Sequence, residues 1–168
     1  MNKAKVAAFF RVFTLLALAL SAVVHFASSL GVAGTLVALV VPLHLGIFVA
    51  QLPAILLGNT MLGRRPRKEF WQAALSGCPL WMQRTGKVLW VYCWLRMVVF
   101  LFQSVGQPKP HGAMNAAQLA FFSVGWLAFY ATQFAIFHSF LHRSTISDAS
   151  PPSPASDRHD PIWPTTKT

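Results

Sequence analysis

Four apolar stretches constrain this chain before any other feature does. Val12 to Leu30, Thr35 to Leu57, Val88 to Gly106 and Ala116 to Leu141 each come close to or exceed the roughly 20 residues that a helix needs to cross a hydrocarbon layer of about 30 Å. Three of the four contain no charged residue. Backbone N–H and C=O groups find no water in hydrocarbon, so each stretch must close its hydrogen bonds internally as helix. Composition agrees, because only 11% of the 168 residues are charged, against about 25% in an ordinary soluble domain. The expected fold is an all-α membrane protein, with four transmembrane helices in an antiparallel bundle forming one domain over residues 1–142.

The acids narrow the chemistry. Glu69 is the only carboxylate side chain before Asp148, and Asp148, Asp157 and Asp160 fall in a Pro- and Ser-rich tail. Two-carboxylate glycoside hydrolysis, a buried Ser-His-Asp triad, carboxylate-bridged metal pairs and Mg²⁺ or Ca²⁺ cages all need acids that the body of this chain lacks. The sequence has no Gly-rich phosphate loop, nucleophile elbow or zinc-protease motif either.

A net charge of +10 could suggest nucleic acid, but the basic residues lie between the apolar blocks and read as topology signals. Lys3, Lys5 and Arg11 precede the first span; Arg64, Arg65, Arg67, Lys68, Arg84 and Lys87 separate the second from the third; Arg143, Arg158 and Lys167 follow the fourth. On the other side stand the uncharged turn near Gly31 and Gly34 and the loop around Gln107 to Asn115, with Lys109 alone. Basic residues near span ends stay on the cytoplasmic side, so both termini are expected there, with the chain in a cell inner membrane. A cleaved signal peptide is the competing reading of the first stretch, given the small residues Ala27, Ser28 and Ser29. Its apolar run is long for one.

Between spans two and three, over residues 58–87, Phe70, Trp71, Ala74, Leu75 and Cys78 recur at helical spacing. This predicts a short amphipathic helix in the membrane interface, with Trp71 at headgroup depth and Arg64, Arg65, Arg67 and Lys68 near anionic lipid headgroups. Gly77 then ends it, Pro79 opens the next helix, and Trp81 is an interfacial anchor. Cys78 at a helix start near Arg84 and Lys87 could be an activated thiol or a palmitoylation site; the plainer reading is a buried or interfacial thiol. From residue 143 to 168 the Pro, Ser and Asp content predicts a disordered cytoplasmic tail.

Each span carries a polar stripe at heptad spacing: Thr14, Ser21, His25 and Ser28; His44 and Gln51; Cys93, Arg96 and Gln103; Gln118, Gly125, Thr132, Ser139 and His142. Polar groups in hydrocarbon need partners and small residues permit close approach, so these faces are expected to meet. Arg96 departs from that pattern, being mid-span with no intramembrane acid to neutralise it. His44 is at a similar depth, with Gln51 and Gln103 one heptad away on their own helices. Arg96, His44, Gln51, Gln103 and His25 are therefore the candidate ligand residues. A site of donors without an acid suits a quinone carbonyl or a lipid phosphate. Haem ligation is a lesser alternative, because no two intramembrane histidines on different helices share a level. His138 and His142, four residues apart on one helix face, are weak metal candidates with no third ligand nearby.

His44-Leu45-Gly46, the basic hinge, Phe70-Trp71, Cys78-Pro79-Leu80-Trp81-Met82 and Phe129-Tyr130 give the chain a resemblance to small four-helix inner-membrane proteins of bacteria that have no established activity. The resemblance implies a bacterial cytoplasmic membrane and brings no catalytic residue with it. Three functions remain from the sequence. The first is a non-enzymatic polytopic protein acting as a homo-oligomer or as an accessory subunit of a membrane complex. The second is a redox or ligand-binding protein with a quinone, haem or lipid-headgroup site, and the third is an anion-permeable pore.

Overall fold

The computed structural model describes residues 3–32, 34–104 and 114–149. Within them the chain folds as α1 (Lys3–Ser29), a 3-10 turn (Gly34–Leu39), α2 (Val40–Leu62), a second 3-10 turn (Arg67–Glu69), α3 (Phe70–Leu75), α4 (Leu80–Ser104) and α5 (Ala116–Ala149). No strand occurs among the described residues. The helix Lys3–Ser29 and the segments Gly34–Leu62, Leu80–Gln103 and Ala116–Thr145 are each long and apolar enough to cross a membrane. The secondary structure of the described residues is helical, with the four long helices that hydropathy predicts.

Several helix ends fall beyond the apolar stretches. α1 starts at Lys3 rather than near Val12, and α4 at Leu80 rather than Val88. The ladder of i to i−4 hydrogen bonds need not stop where hydrocarbon does. α5 continues to Ala149, past the expected end at Leu141. Residues 150–168, where most of the Pro-rich tail falls, lie outside the described residues, as do Lys109 and His111. The carbonyl of Pro79 accepts from the N–H groups of Met82 and Gln83 at 3.0 and 3.3 Å, so this proline stands where α4 begins.

α5 is the central helix. It packs against α1, α2 and α4, whereas α2 and α4 scarcely meet. Trp126, Tyr130, Gln133 and Phe137 of α5 are fully buried. Two apolar clusters lie along the seam of α1, α2 and α5. One joins Ala17 and Val24 to Leu43, Ile47, Leu119, Trp126 and Tyr130. The other joins Ala7 to Ala54, Leu57, Ile136 and Phe137, with Ala74 of α3. α4 contributes no buried residue to either, and side-on contacts with α5 hold it, among them Phe100 stacked on Phe121 at 4.4 Å between centroids.

Hydrogen bonds fasten the helices in register. Tyr130 Oη donates to the carbonyl of Leu43 at 2.6 Å, and Gln133 Nε2 donates to that of Ile47 at 3.0 Å, so α5 grips one edge of α2. Gly46 makes the first possible, since a Cβ there would strike the Tyr130 hydroxyl. The loop after α3 is held to α5 in the same manner. Gly77 N–H donates to Ser139 Oγ at 2.9 Å, and a Cβ on Gly77 would come within 2.6 Å of the Ser139 carbonyl oxygen.

α3 has only six residues. Ala73 and Ala74 form its buried face, packed on α2 and α5, while Trp71 and Gln72 are exposed. Arg143 of α5 reaches its C-terminal end and donates through Nη1 to Ser76 Oγ at 3.2 Å and toward the Ala73 carbonyl at 3.4 Å, where a cation meets the negative end of the helix.

Candidate functional site

Because α2 and α4 flank α5 without closing on one another, a cleft of about 330 Å³ opens between the three. His44, Phe48 and Gln51 line it from α2, Cys93 and Met97 from α4, and Phe122, Gly125, Trp126 and Phe129 from α5. A Cβ built on Gly125 would meet no other atom within 4 Å. In this chain Gly125 therefore does not serve close packing of helices, as its place in the polar stripe suggests. It keeps a wall of the cleft recessed.

His44 is held between rings. Its imidazole lies edge-on to Trp126 and to Phe122, with centroids 5.4 Å away in both cases. Trp126 Nε1 lies 3.0 Å from His44 Nδ1. An indole nitrogen only donates, so Nδ1 must carry the lone pair and the neutral ring holds its proton on Nε2. Two turns of α2 further on, Gln51 Oε1 accepts from Gln133 Nε2 at 2.9 Å, which leaves the Gln51 amide N–H groups for the cleft. The polar equipment of the cleft is therefore the His44 N–H, the Gln51 amide and the Cys93 thiol. All are donors, and no carboxylate stands among them.

His25 is a closed structural junction. Ser123 Oγ donates to the Ala120 carbonyl at 2.9 Å, so it must accept from His25 Nδ1 at 3.0 Å; His25 Nε2 in turn accepts from Tyr92 Oη at 2.9 Å. One buried imidazole thus links α1, α5 and α4 with both nitrogens engaged.

Of the five candidate ligand residues, the structure brings His44 and Gln51 together and leaves the others elsewhere. Arg96 is absent from the cleft although Cys93 and Met97 on the same helix line it. Its buried Nε has no hydrogen-bond partner among the described residues. Gln103 is exposed near the end of α4. His138 and His142 stack with centroids 6.4 Å apart, and no group of three or more potential metal ligands occurs among the described residues. Arg64, Arg65, Arg67 and Lys68 are exposed on the α2 to α3 connection, as are Trp71 and Trp81.

These hydrogen bonds decide the fit of two cofactor classes. Haem iron needs an imidazole lone pair, and those of His44 and His25 are committed to Trp126 and Tyr92. Neither residue fits axial ligation. A quinone carbonyl needs donors beside apolar walls, and the residues lining the cleft offer both.

Cys78 does not behave as an activated thiol. It is buried at the turn before α4 and lies 3.0 Å from the Ala135 carbonyl, to which it donates; burial pushes its pKa up to about 11. Desolvation outweighs the helix start and the nearby cations on which the expectation of activation rested.

Several functional side chains escape the heptad stripes. Gln133 lies one position beyond Thr132 and is fully buried; Trp126, Tyr130 and Tyr92 are amphipathic aromatics that a residue-class reading counts as apolar. The available signal was the N–H or O–H itself, since an indole or phenol in hydrocarbon has to find an acceptor. No family model matches the sequence, and comparison with curated proteins and with solved structures finds no match in either.

Proposed function

We propose that this chain is a small non-enzymatic protein of a cell inner membrane that holds a lipid-soluble, carbonyl-bearing molecule, of which a quinone is the type, in the cleft between α2, α4 and α5. In this reading the four spans run alternately across the bilayer with both termini and residues 58–87 cytoplasmic. The order of contacts supports the alternation: Phe10 meets Phe137 and His25 meets Ser123, whereas His44 meets Trp126 and Gln51 meets Gln133. Trp90 meets Thr132 and Phe100 meets Phe121. α1 and α4 thus oppose α5, and α2 runs with it. The exposed cations and Trp71 suit the cytoplasmic interface.

The observation that carries the reading is the fixed His44 tautomer, which leaves an Nε2–H donor on a residue that lines an apolar, aromatic cleft without a carboxylate to compete for it. A carbonyl oxygen there accepts from His44 and Gln51, and the aromatic rings of the cleft cover its ring. Native mass spectrometry of the gently extracted protein, wild type beside Gly125→Phe, tests this. The wild type should retain a small lipid-soluble molecule, and Gly125→Phe, which fills open space, should fold and lose it. A wild type that comes through bare, or a variant that keeps the molecule, would overturn the reading.

A second reading rests on α4. None of its residues with a described side chain is buried, and Val88, Val91, Trp94, Leu95, Val98 and Phe102 are exposed. That surface supports an accessory subunit or a homo-oligomer docked along α4, and the same mass measurement distinguishes them by the partner retained.

A further inference from the structure

On the other side of Trp90 a larger trough, of about 660 Å³, opens among α3, α4 and α5. Its walls are Trp71, Leu75, Met82, Trp90 and Ala131, with Gly86 recessed between them and Lys87 beside it. Two of the neutral polar side chains in it, Gln83 and Trp90, already have partners within the protein. Gln83 Nε2 donates to the carbonyls of Leu75 and Cys78 at 3.1 and 3.0 Å. Trp90 Nε1 donates to Thr132 Oγ1 at 3.0 Å, and that hydroxyl donates to the Ala128 carbonyl at 2.8 Å. What remains is an apolar channel with the Lys87 ammonium and the Trp71 indole N–H on its wall.

We propose that this trough is a site for one anionic phospholipid, an acyl chain lying along Trp90 and Ala131 and the phosphate meeting Lys87 and the indole N–H of Trp71. The assignment rests on the membrane placement described under Proposed function, with α3 at the cytoplasmic interface. Charge complementarity selects the lipid. Arg84 stands one turn before Lys87, Arg64, Arg65, Arg67 and Lys68 are exposed on the approach to α3, and Glu69 is the only carboxylate before Asp148. Such a field favours an anionic over a zwitterionic headgroup. The lysine stem is long enough to lie along apolar wall while its head reaches the phosphate level. Gly86 supplies an independent sign that the space is meant to stay open. Glycine is a poor helix former, and here no neighbour lies within 4 Å of where its Cβ would be, so close packing does not require it.

The test reconstitutes the full chain in nanodiscs holding equal amounts of phosphatidylglycerol and phosphatidylcholine, and measures by native mass spectrometry the lipid that stays on the protein after release. The wild type should retain phosphatidylglycerol in preference. Lys87→Gln should reduce the preference roughly fivefold while keeping a lipid in place, the effect of one cation near a membrane surface. Gly86→Phe, which enters empty space and improves helix propensity, should lose both lipids from this position. Equal retention of the two lipids by the wild type, or an undiminished preference in Lys87→Gln, would overturn this site alone. A wild type that retains neither and does not enter the bilayer would overturn the membrane placement with it. A second copy of the chain held in place of lipid would assign the trough to oligomerisation and also overturn the proposal.

Discussion

Trp126 donates its indole N–H to Nδ1 of His44 across 3.0 Å, and this one contact fixes both the position of the imidazole and the nitrogen that carries its proton. The tryptophan is almost fully buried in α5, so α5 sets the chemistry that α2 presents to the cleft. A neutral histidine whose lone pair is occupied is a donor and nothing else at its far edge.

Replacing Trp126 with Phe keeps most of the packing and removes the donor. The expected cost in stability is about 1 kcal/mol, typical of one interhelical hydrogen bond in a membrane protein. Freed of its partner, His44 can place its proton on either nitrogen, so binding of a short-chain benzoquinone should weaken as well. Unfolding in mixed micelles and a quinone titration report the two effects separately.

The His25 junction should behave as a coupled unit. Tyr92→Phe removes the hydroxyl that serves His25 Nε2, and His25→Leu removes the imidazole, so the double variant should cost less than the sum of the singles. A coupling energy of about 0.6 to 1.7 kcal/mol is expected from a double-mutant cycle. Tyr92→Phe should leave quinone binding unchanged, because neither residue lines the cleft.

Arg96 has a buried Nε without a partner among the described residues and no carboxylate in any span to neutralise it. Arg96→Leu should therefore raise stability, by roughly 1 to 3 kcal/mol if the orphaned donor carries its full desolvation cost. Ligand binding should persist, since the cleft is built without Arg96. Chemical denaturation of the reconstituted variant measures the first effect, and the quinone titration the second.

Cys78 should resist alkylation near neutral pH. Its thiol lies well above the ordinary value of 9.0, at about 11, because burial disfavours the thiolate. The folded state binds this proton more tightly than the unfolded chain does. The associated stability is therefore fully present below about pH 9 and is lost as pH rises through about 11. Maleimide labelling should be slow at pH 7 and accelerate with alkali, and Cys78→Ser should flatten the alkaline fall in stability.

The four long helices were legible because hydrocarbon permits few alternatives to a helix, and 20-residue apolar runs are plain in the sequence. The central place of α5 was not. A stripe of Gln118, Gly125, Thr132 and Ser139 shows that a face turns toward partners, but all four spans carry such a stripe, and none reveals which helix the others surround. Depth raised His44 and Arg96 together as a site. Depth along a helix says nothing of direction around it, and the structure puts His44 and Gln51 on one cleft that Arg96 does not line. Gln133 and Trp126, which hold Gln51 and His44 in place, were passed over because they fall off the heptad or count as apolar.

The ¹⁵N NMR spectrum of His44 in the reconstituted protein, recorded before and after addition of a short-chain benzoquinone, tests the central claim most directly. A neutral imidazole protonated at Nε2 is predicted, with the Nε2–H signal moving on addition of the quinone and remaining still in Gly125→Phe. A proton on Nδ1, or an Nε2–H signal indifferent to the quinone, would contradict the account.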